Sequence, residues 1–228
     1  MIAIGFDIGS SFVKAALVEV ETGKPIARAR VPEVEIPMEA QQLGWAEQHP
    51  NLWWQYLCEA TQKLLTETDI NAEQISSIGI SYQMHGLVLV DRDLNPLRKS
   101  IIWCDSRATS YGEKAFEKLG KGYCKDHLLN SPGNFTASKL AWVIENEPEL
   151  YQKAYKLMLP GDFLAAKLSG IPQTTITGLS EGIFWDFKND QASQALFDHY
   201  QIDQSLVPEV VDNFTVQATV SNAGAQAT

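Results

Sequence analysis

The stretch "MIAIGFDIGSSFVKAALVEVE", residues 1–21, decides the fold. It reads as two strands joined by a tight turn at Gly9, Ser10 and Ser11. Alternation alone does not settle this, because Phe12, Lys14 and Ala16 alternate with Val13, Ala15 and Leu17 without a clean apolar/polar split. The Val, Ile and Phe content favours strand. "ETGKP" at residues 21–25 is a second turn, and "IARARVPEVEI" at 26–36 gives a third strand. The chain therefore opens as an antiparallel meander.

Beyond the meander the period changes. In "HPNLWWQYLCEATQKLLTET", residues 49–68, Trp54, Leu57, Cys58, Thr61, Leu64 and Leu65 recur at helical spacing, and Asn51 is the expected N-cap. "ISSIGISYQ" (75–83) reads as a buried strand. "GLVLVD" (86–91) and "SIIWCD" (100–105) follow as strands around a turn at "DRDLNP". The second half is richer in helix. "NFTASKLAWVIENEP" carries Leu140, Val143 and Ile144 on one face and stops before Pro148. "PGDFLAAKLSG" is a short helix with Asp162 near its start and Gly170 past its end. Strands interleaved with helices predict an α/β domain. The tail "VSNAGAQAT" is small and polar and is expected to fray.

Composition bounds the function. The chain has 228 residues, 45% hydrophobic and 20% charged, as in globular domains. No apolar run approaches the roughly 20 residues that span a bilayer. No basic-then-apolar leader is expected at the N-terminus. Cys58, Cys104 and Cys124 have neither metal-ligand spacing nor a disulfide pattern, which suits a cytoplasmic setting. Cys104, flanked by apolar residues, reads as core. A formal charge of −10 argues against nucleic acid as partner while leaving room for one local phosphate site.

Three stretches carry candidate chemistry. In "GFDIGSS", Asp7 closes a strand and Gly9, Ser10 and Ser11 form the turn. Backbone N–H groups and hydroxyls in such a turn can cradle phosphate oxygens. The carboxylate would be repelled by phosphate directly, but it can hold Mg²⁺ through water. Lys14 can add positive charge. The plainer alternative is a hairpin whose Asp bonds local amides. In "SYQMHGLVLVD", Gln83, Met84, His85 and Gly86 sit between two strands. Gln and His suit sugar hydroxyls, and Met84 can pack on sugar carbons. The alternative is a histidine that merely satisfies its neighbours. In "IIWCDSRA", Trp103, Asp105 and Arg107 follow an apolar strand. Asp105 can accept two sugar hydroxyls with Arg107 orienting it; the alternative is a weak surface ion pair. No GxxxxGK[ST], GxGxxG or GxSxG motif is present.

Taken together and in order, "DIGSS", "WAEQHPNLWW", "QMHG", "WCDSR", "NFTASKLAW" and "LPGDFLAAKLSG" resemble the FGGY carbohydrate kinases, and among them the xylulokinase branch. The match runs from the first residues to at least Asp186. The resemblance implies a ribonuclease-H-like domain of the actin/Hsp70/sugar-kinase superfamily, with a mixed central sheet flanked by helices. It implies ATP and Mg²⁺ as cofactors and D-xylulose as the sugar. Asp7 matches the phosphate-loop aspartate, Ser10 stands where threonine is common, Met84 and His85 match the sugar-binding pair, and Asp105 matches the sugar-holding acid. It also implies that residues 1–228 are the sugar-binding half, with the catalytic base and nucleotide domain in a C-terminal half outside this chain. Surface left open for that half can also pair two copies as a homodimer. Gly178 departs from an acid found in some xylulokinases. Ribulose, glycerol or gluconate kinases, a sugar-binding half without catalysis, and a non-sugar actin- or Hsp70-like ATPase stay open as alternatives.

Overall fold

A computed structural model describes all of residues 1–228. The opening antiparallel meander forms, with its third strand starting inside the expected turn, at Lys24, and ending at Val31 instead of Ile36. Strands β1 (Ile2–Ile8), β2 (Val13–Glu19) and β3 (Lys24–Val31) pair antiparallel in succession. A two-residue strand β4 (Glu47–Gln48) and helix α1 (Pro50–Thr66) then lead to β5 (Ile75–Tyr82). β5 lies beside β1 and parallel to it, giving a mixed sheet in the order β3-β2-β1-β5. Parallel neighbours need a crossover, and α1 supplies it.

One face of the sheet is apolar and one is not. Ile4, Phe6, Ile8, Val13, Ala15 and Leu17 are buried, against Trp53, Leu57, Ala60 and Leu64 of α1. The buried stripe of α1 is turned by one residue from the expected one: Trp53 enters the core, and Trp54 flanks it. The cap also moves. His49 is the N-cap, its Nδ1 accepting from the Asn51 amide at 3.2 Å, because Pro50 takes the first helical position. On the other face, Asp7, Lys14, Arg28, Arg30, Ser77, Gly79 and Ser81 are exposed.

β5 differs from its reading. None of its residues is fully buried, since it forms the sheet edge, and Ile75, Ile80 and Tyr82 reach the core from half-buried positions. The next strands are shorter than the sequence suggested: β6 is Val88–Val90 and β7 is Ser100–Ile101. The chain turns after β7 because the Asp105 amide donates back to the Ile102 carbonyl at 3.1 Å.

Among the helices that follow are α2 (Thr109–Leu119), α3 (Thr136–Asn146), α4 (Pro160–Ser169) and α5 (Ile176–Glu181). Between α3 and α4, β8 (Lys156–Met158) pairs with β6. α4 joins α1 on the sheet, burying Phe163 and Leu164. α2 and α3 pack in a second core with Leu87, Leu89 and Ile101. α4 ends at Gly170, whose φ of 80° is left-handed. Asp162, in its first turn, accepts from the Leu159 amide at 3.1 Å and the Thr174 hydroxyl at 3.0 Å. Burial raises its pKa to about 7.

The tail does not fray. Residues Asn222–Ala227 form a helix capped by Ser221, whose hydroxyl accepts from the Gly224 amide at 3.0 Å. Ser221 also donates its amide to the Leu168 carbonyl at 2.9 Å, which fastens the tail to α4. The cysteines are free, but Cys104 is exposed and Cys124 is the buried one. The segment holding Cys104 has left the strand and faces outward.

Gly112 tests the packing of α2. A β-carbon there would fall 1.7 Å from the Gly133 carbonyl oxygen, a backbone atom with no rotamer to relax. Gly112→Ala should lower stability by about 1–3 kcal/mol or more. An unchanged urea midpoint would show that α2 does not sit as described.

Candidate active site

β1 and β5 end side by side. Their parallel register sets Ile8 opposite Tyr82, and the Gln83 amide donates to the Ile8 carbonyl at 2.7 Å. Glycine turn and Gln83–Gly86 stretch therefore leave the same end of the sheet from neighbouring strands. The carboxyl ends of parallel strands are where open α/β sheets receive ligands.

In the turn, the Gly9 amide closes on the Phe12 carbonyl at 2.9 Å, while the amides of Ser10 and Ser11 donate to no backbone carbonyl. Asp7 projects from the polar face with its side chain 53% exposed. Lys14 is its cross-strand partner, with Nζ 3.0 Å from Asp7 Oδ2. These donors fit phosphate oxygens, and the solvated carboxylate fits a cation held through water. The Lys14 charge is shared with Asp7 rather than given whole to a phosphate.

In the second stretch Met84 is 55% exposed. His85 adopts a left-handed φ of 60°, strained for a residue with a β-carbon. Three contacts hold it there. Its amide donates to Glu181 Oε1, its Nδ1 faces that same oxygen, and its carbonyl accepts from Lys139 Nζ at 2.7 Å. The ring also meets Phe135 edge-on, centroids 4.3 Å apart. Gly86 needs to be glycine for space, since a β-carbon would lie 2.6 Å from Pro160 Cγ. Gln83 is buried, and its Oε1 has no partner.

Lys139 and Glu181 escaped the sequence reading. Lys139 lies in the quoted "NFTASKLAW" and is fully buried. Burial draws its pKa down to about 8, against the pull of nearby Asp105 and Glu181. A lysine on an otherwise apolar helical face was the available signal. Glu181 had none, because its role depends on a contact 96 residues away in sequence.

The third stretch behaves differently from its reading. Trp103 is 49% exposed, and its Nε1 lies 3.4 Å from Ser10 Oγ, so it does join the turn. Asp105 is 0% exposed. Oδ2 accepts from the Ala46 amide at 2.6 Å and Arg107 Nη2 at 2.7 Å, and Oδ1 accepts from the Arg107 amide at 2.9 Å and Nε at 3.0 Å. Bonded on both oxygens and without exposure, Asp105 anchors the loop. Arg107 is equally buried, which also removes the surface-pair alternative. Its guanidinium sits 3.6 Å over the Trp45 ring and 4.8 Å from Trp142, with Nη1 2.7 Å from Glu47.

This buried charge set gives a direct test. Arg107→Met would leave the buried Asp105 without its counter-charge and Glu47 with Arg98 alone, and should cost about 3–5 kcal/mol. Arg107→Lys keeps the charge but loses the planar fork, and should fall between the two. Equal stability of all three proteins in denaturant would contradict the arrangement.

No helix is long and apolar enough to cross a membrane, and no cluster of three or more His, Cys, Asp or Glu side chains is arranged to hold a metal. Compared with known proteins, the chain matches the FGGY family of carbohydrate kinases, N-terminal domain, over residues 2–228. It is 33% identical over 215 residues to the xylulose kinase of Bacillus subtilis (strain 168), covering 92% of this chain and 41% of that protein. It is 30% identical over 225 residues to that of Streptomyces rubiginosus, covering 97% and 45%. The crystal structure of xylulose kinase from Rhodospirillum rubrum superposes with a TM-score of 0.89 at 23% identity, covering 100% of this chain and 46% of that one. The chain thus spans less than half the length of these relatives. The α/β architecture with its mixed sheet is the actin/Hsp70-like fold of sugar kinases. On the match to its whole length, this chain belongs to the FGGY family of carbohydrate kinases.

Proposed function

We propose that this chain is the sugar-binding half of an ATP-dependent kinase that phosphorylates D-xylulose. One observation carries the reading: the turn with unfilled amides and the Gln83–Gly86 stretch emerge together from the paired ends of β1 and β5. Phosphate and sugar faces are then neighbours. The relatives named xylulose kinases support the choice of sugar.

The chain's own residues divide the work. Ser10 and Ser11 offer amides and hydroxyls to phosphate oxygens. Asp7 holds the water shell of Mg²⁺, and Lys14 keeps that carboxylate oriented at 3.0 Å. When bound, Mg²⁺ offsets the negative charge of the phosphates. Gln83 offers its open carbonyl to a hydroxyl, His85 a ring nitrogen, and Met84 and Trp103 an apolar face for sugar carbons. Asp105 and Arg107 position Trp103. Proton removal from the sugar hydroxyl, and the adenosine pocket, belong to the C-terminal half that the longer relatives possess. A site of this kind closes between two halves and excludes water, which keeps transfer ahead of hydrolysis.

Two substitutions in the full-length protein separate these roles. His85→Ala should raise the xylulose KM by roughly 2- to 13-fold, the equivalent of about 0.5–1.5 kcal/mol for one lost hydrogen bond. Asp7→Ala should lower kcat while leaving sugar binding close to wild type. An unchanged KM in the first, or wild-type turnover in the second, removes that residue from its role. Residues 1–228 alone should show almost no transfer of phosphate to xylulose; robust turnover would refute the division between halves.

A further inference from the structure

Gln48 lies in "WAEQHPNLWW", is given no role in the site above, and is 1% exposed. Its carboxamide is saturated. Nε2 donates to the Ser10 carbonyl at 2.6 Å and has the Ile36 and Pro37 carbonyls at 3.5 Å. Oε1 accepts from Trp53 Nε1 at 3.2 Å and Gln83 Nε2 at 3.4 Å. Carbonyls on one side and N–H donors on the other allow only one orientation of the amide. One small group therefore ties the glycine turn, the Gln83 stretch and α1 together.

We propose that Gln48 is the positioning residue that fixes the phosphate turn relative to the sugar stretch. The inference rests on the kinase reading and adds to it a residue that touches neither ligand. Its two links are unequal. The bond to Ser10 is short, at 2.6 Å; beside it the turn is held by the Ile36 amide on the Ser11 carbonyl, at 2.9 Å, and by Trp103 Nε1 near Ser10 Oγ, at 3.4 Å. The bond to Gln83 is long, and Gln83 is independently fixed by its amide bond to Ile8 at 2.7 Å. Loss of Gln48 should then displace the phosphate turn much more than the sugar stretch. Displacements near 1 Å between reacting groups can cost about a hundredfold in rate.

The test uses full-length protein and three variants. Gln48→Met keeps the volume and removes both links; Gln48→Asn keeps an amide one methylene too short to span them, and serves if the first fails to fold. Trp53→Phe removes the other donor to Oε1 while sparing the Ser10 bond. For Gln48→Met we expect kcat to fall about 10- to 100-fold with the sugar KM within about threefold, whereas Trp53→Phe loses stability and retains kcat. Hydrogen exchange supplies a readout independent of turnover. The Gly9 amide, bonded to Phe12, and the Ile36 amide, bonded to Ser11, should exchange faster in the Gln48 variants, with α1 amides unchanged. Wild-type kcat and exchange in a folded Gln48 variant would overturn the proposal. So would a kcat loss that tracks stability alike in the Gln48 and Trp53 variants. Wild-type protein that phosphorylates none of xylulose, ribulose, glycerol or gluconate would instead refute the kinase reading, and exchange would then decide the role of Gln48 alone.

Discussion

Everything at the candidate site depends on the pairing of β1 with β5. A parallel pair puts both carboxyl ends at one edge of the sheet, where an antiparallel pair would have separated them. The register from Ala3–Ser77 to Ile8–Tyr82 fixes the exit points, and the Gln83 amide extends the ladder by one more bond. A slip of one residue would turn Ile4, Phe6 and Ile8 to solvent. Burial of those side chains therefore specifies where the polar turn stands.

The polar layer around this edge is held by charge in the interior. Arg107 and Arg98 share Glu47, Arg98 also reaches Glu147 at 2.8 Å, and Arg107 grips Asp105. Trp45 and Trp142 meet edge to face 5.4 Å apart; Trp142 borders both guanidinium groups and Trp45 that of Arg107. Such groups are costly to desolvate, so the set contributes less to net stability than its contacts suggest. Its effect is directional. With Asp105 locked, the loop can present the Trp103 indole beside Ser10 without a disordered approach.

Local features were readable from the sequence, and distant ones were not. The meander declared itself through β-branched residues and turn signals, and α4 through Asp162 and Gly170. The glycine turn and the Gln83–Gly86 stretch were visible because polar residues interrupt apolar strands. The burial of Asp105 was not legible, because a Trp-Cys-Asp-Ser-Arg string says nothing of the Ala46 amide that faces it 59 residues away. β5 looked buried because Ile75, Ile78 and Ile80 alternate with small residues, and only topology makes it an edge. The tail looked loose because its anchor, the Leu168 carbonyl, lies 53 residues upstream of Ser221. Glu181 and Gln48 are long-range partners of the same kind.

Strand β6 carries a consequence for motion. Val88 and Val90 point into the core beneath the sheet, while Leu87 and Leu89 point into the helical core. A single ribbon of chain is thus a wall common to two packed interiors. Close-packed interiors resist compression and pass displacement on. The two cores should therefore move as one rigid block, with no internal hinge at this wall. Gln83–Gly86 runs directly into that ribbon, so this loop rides on the block.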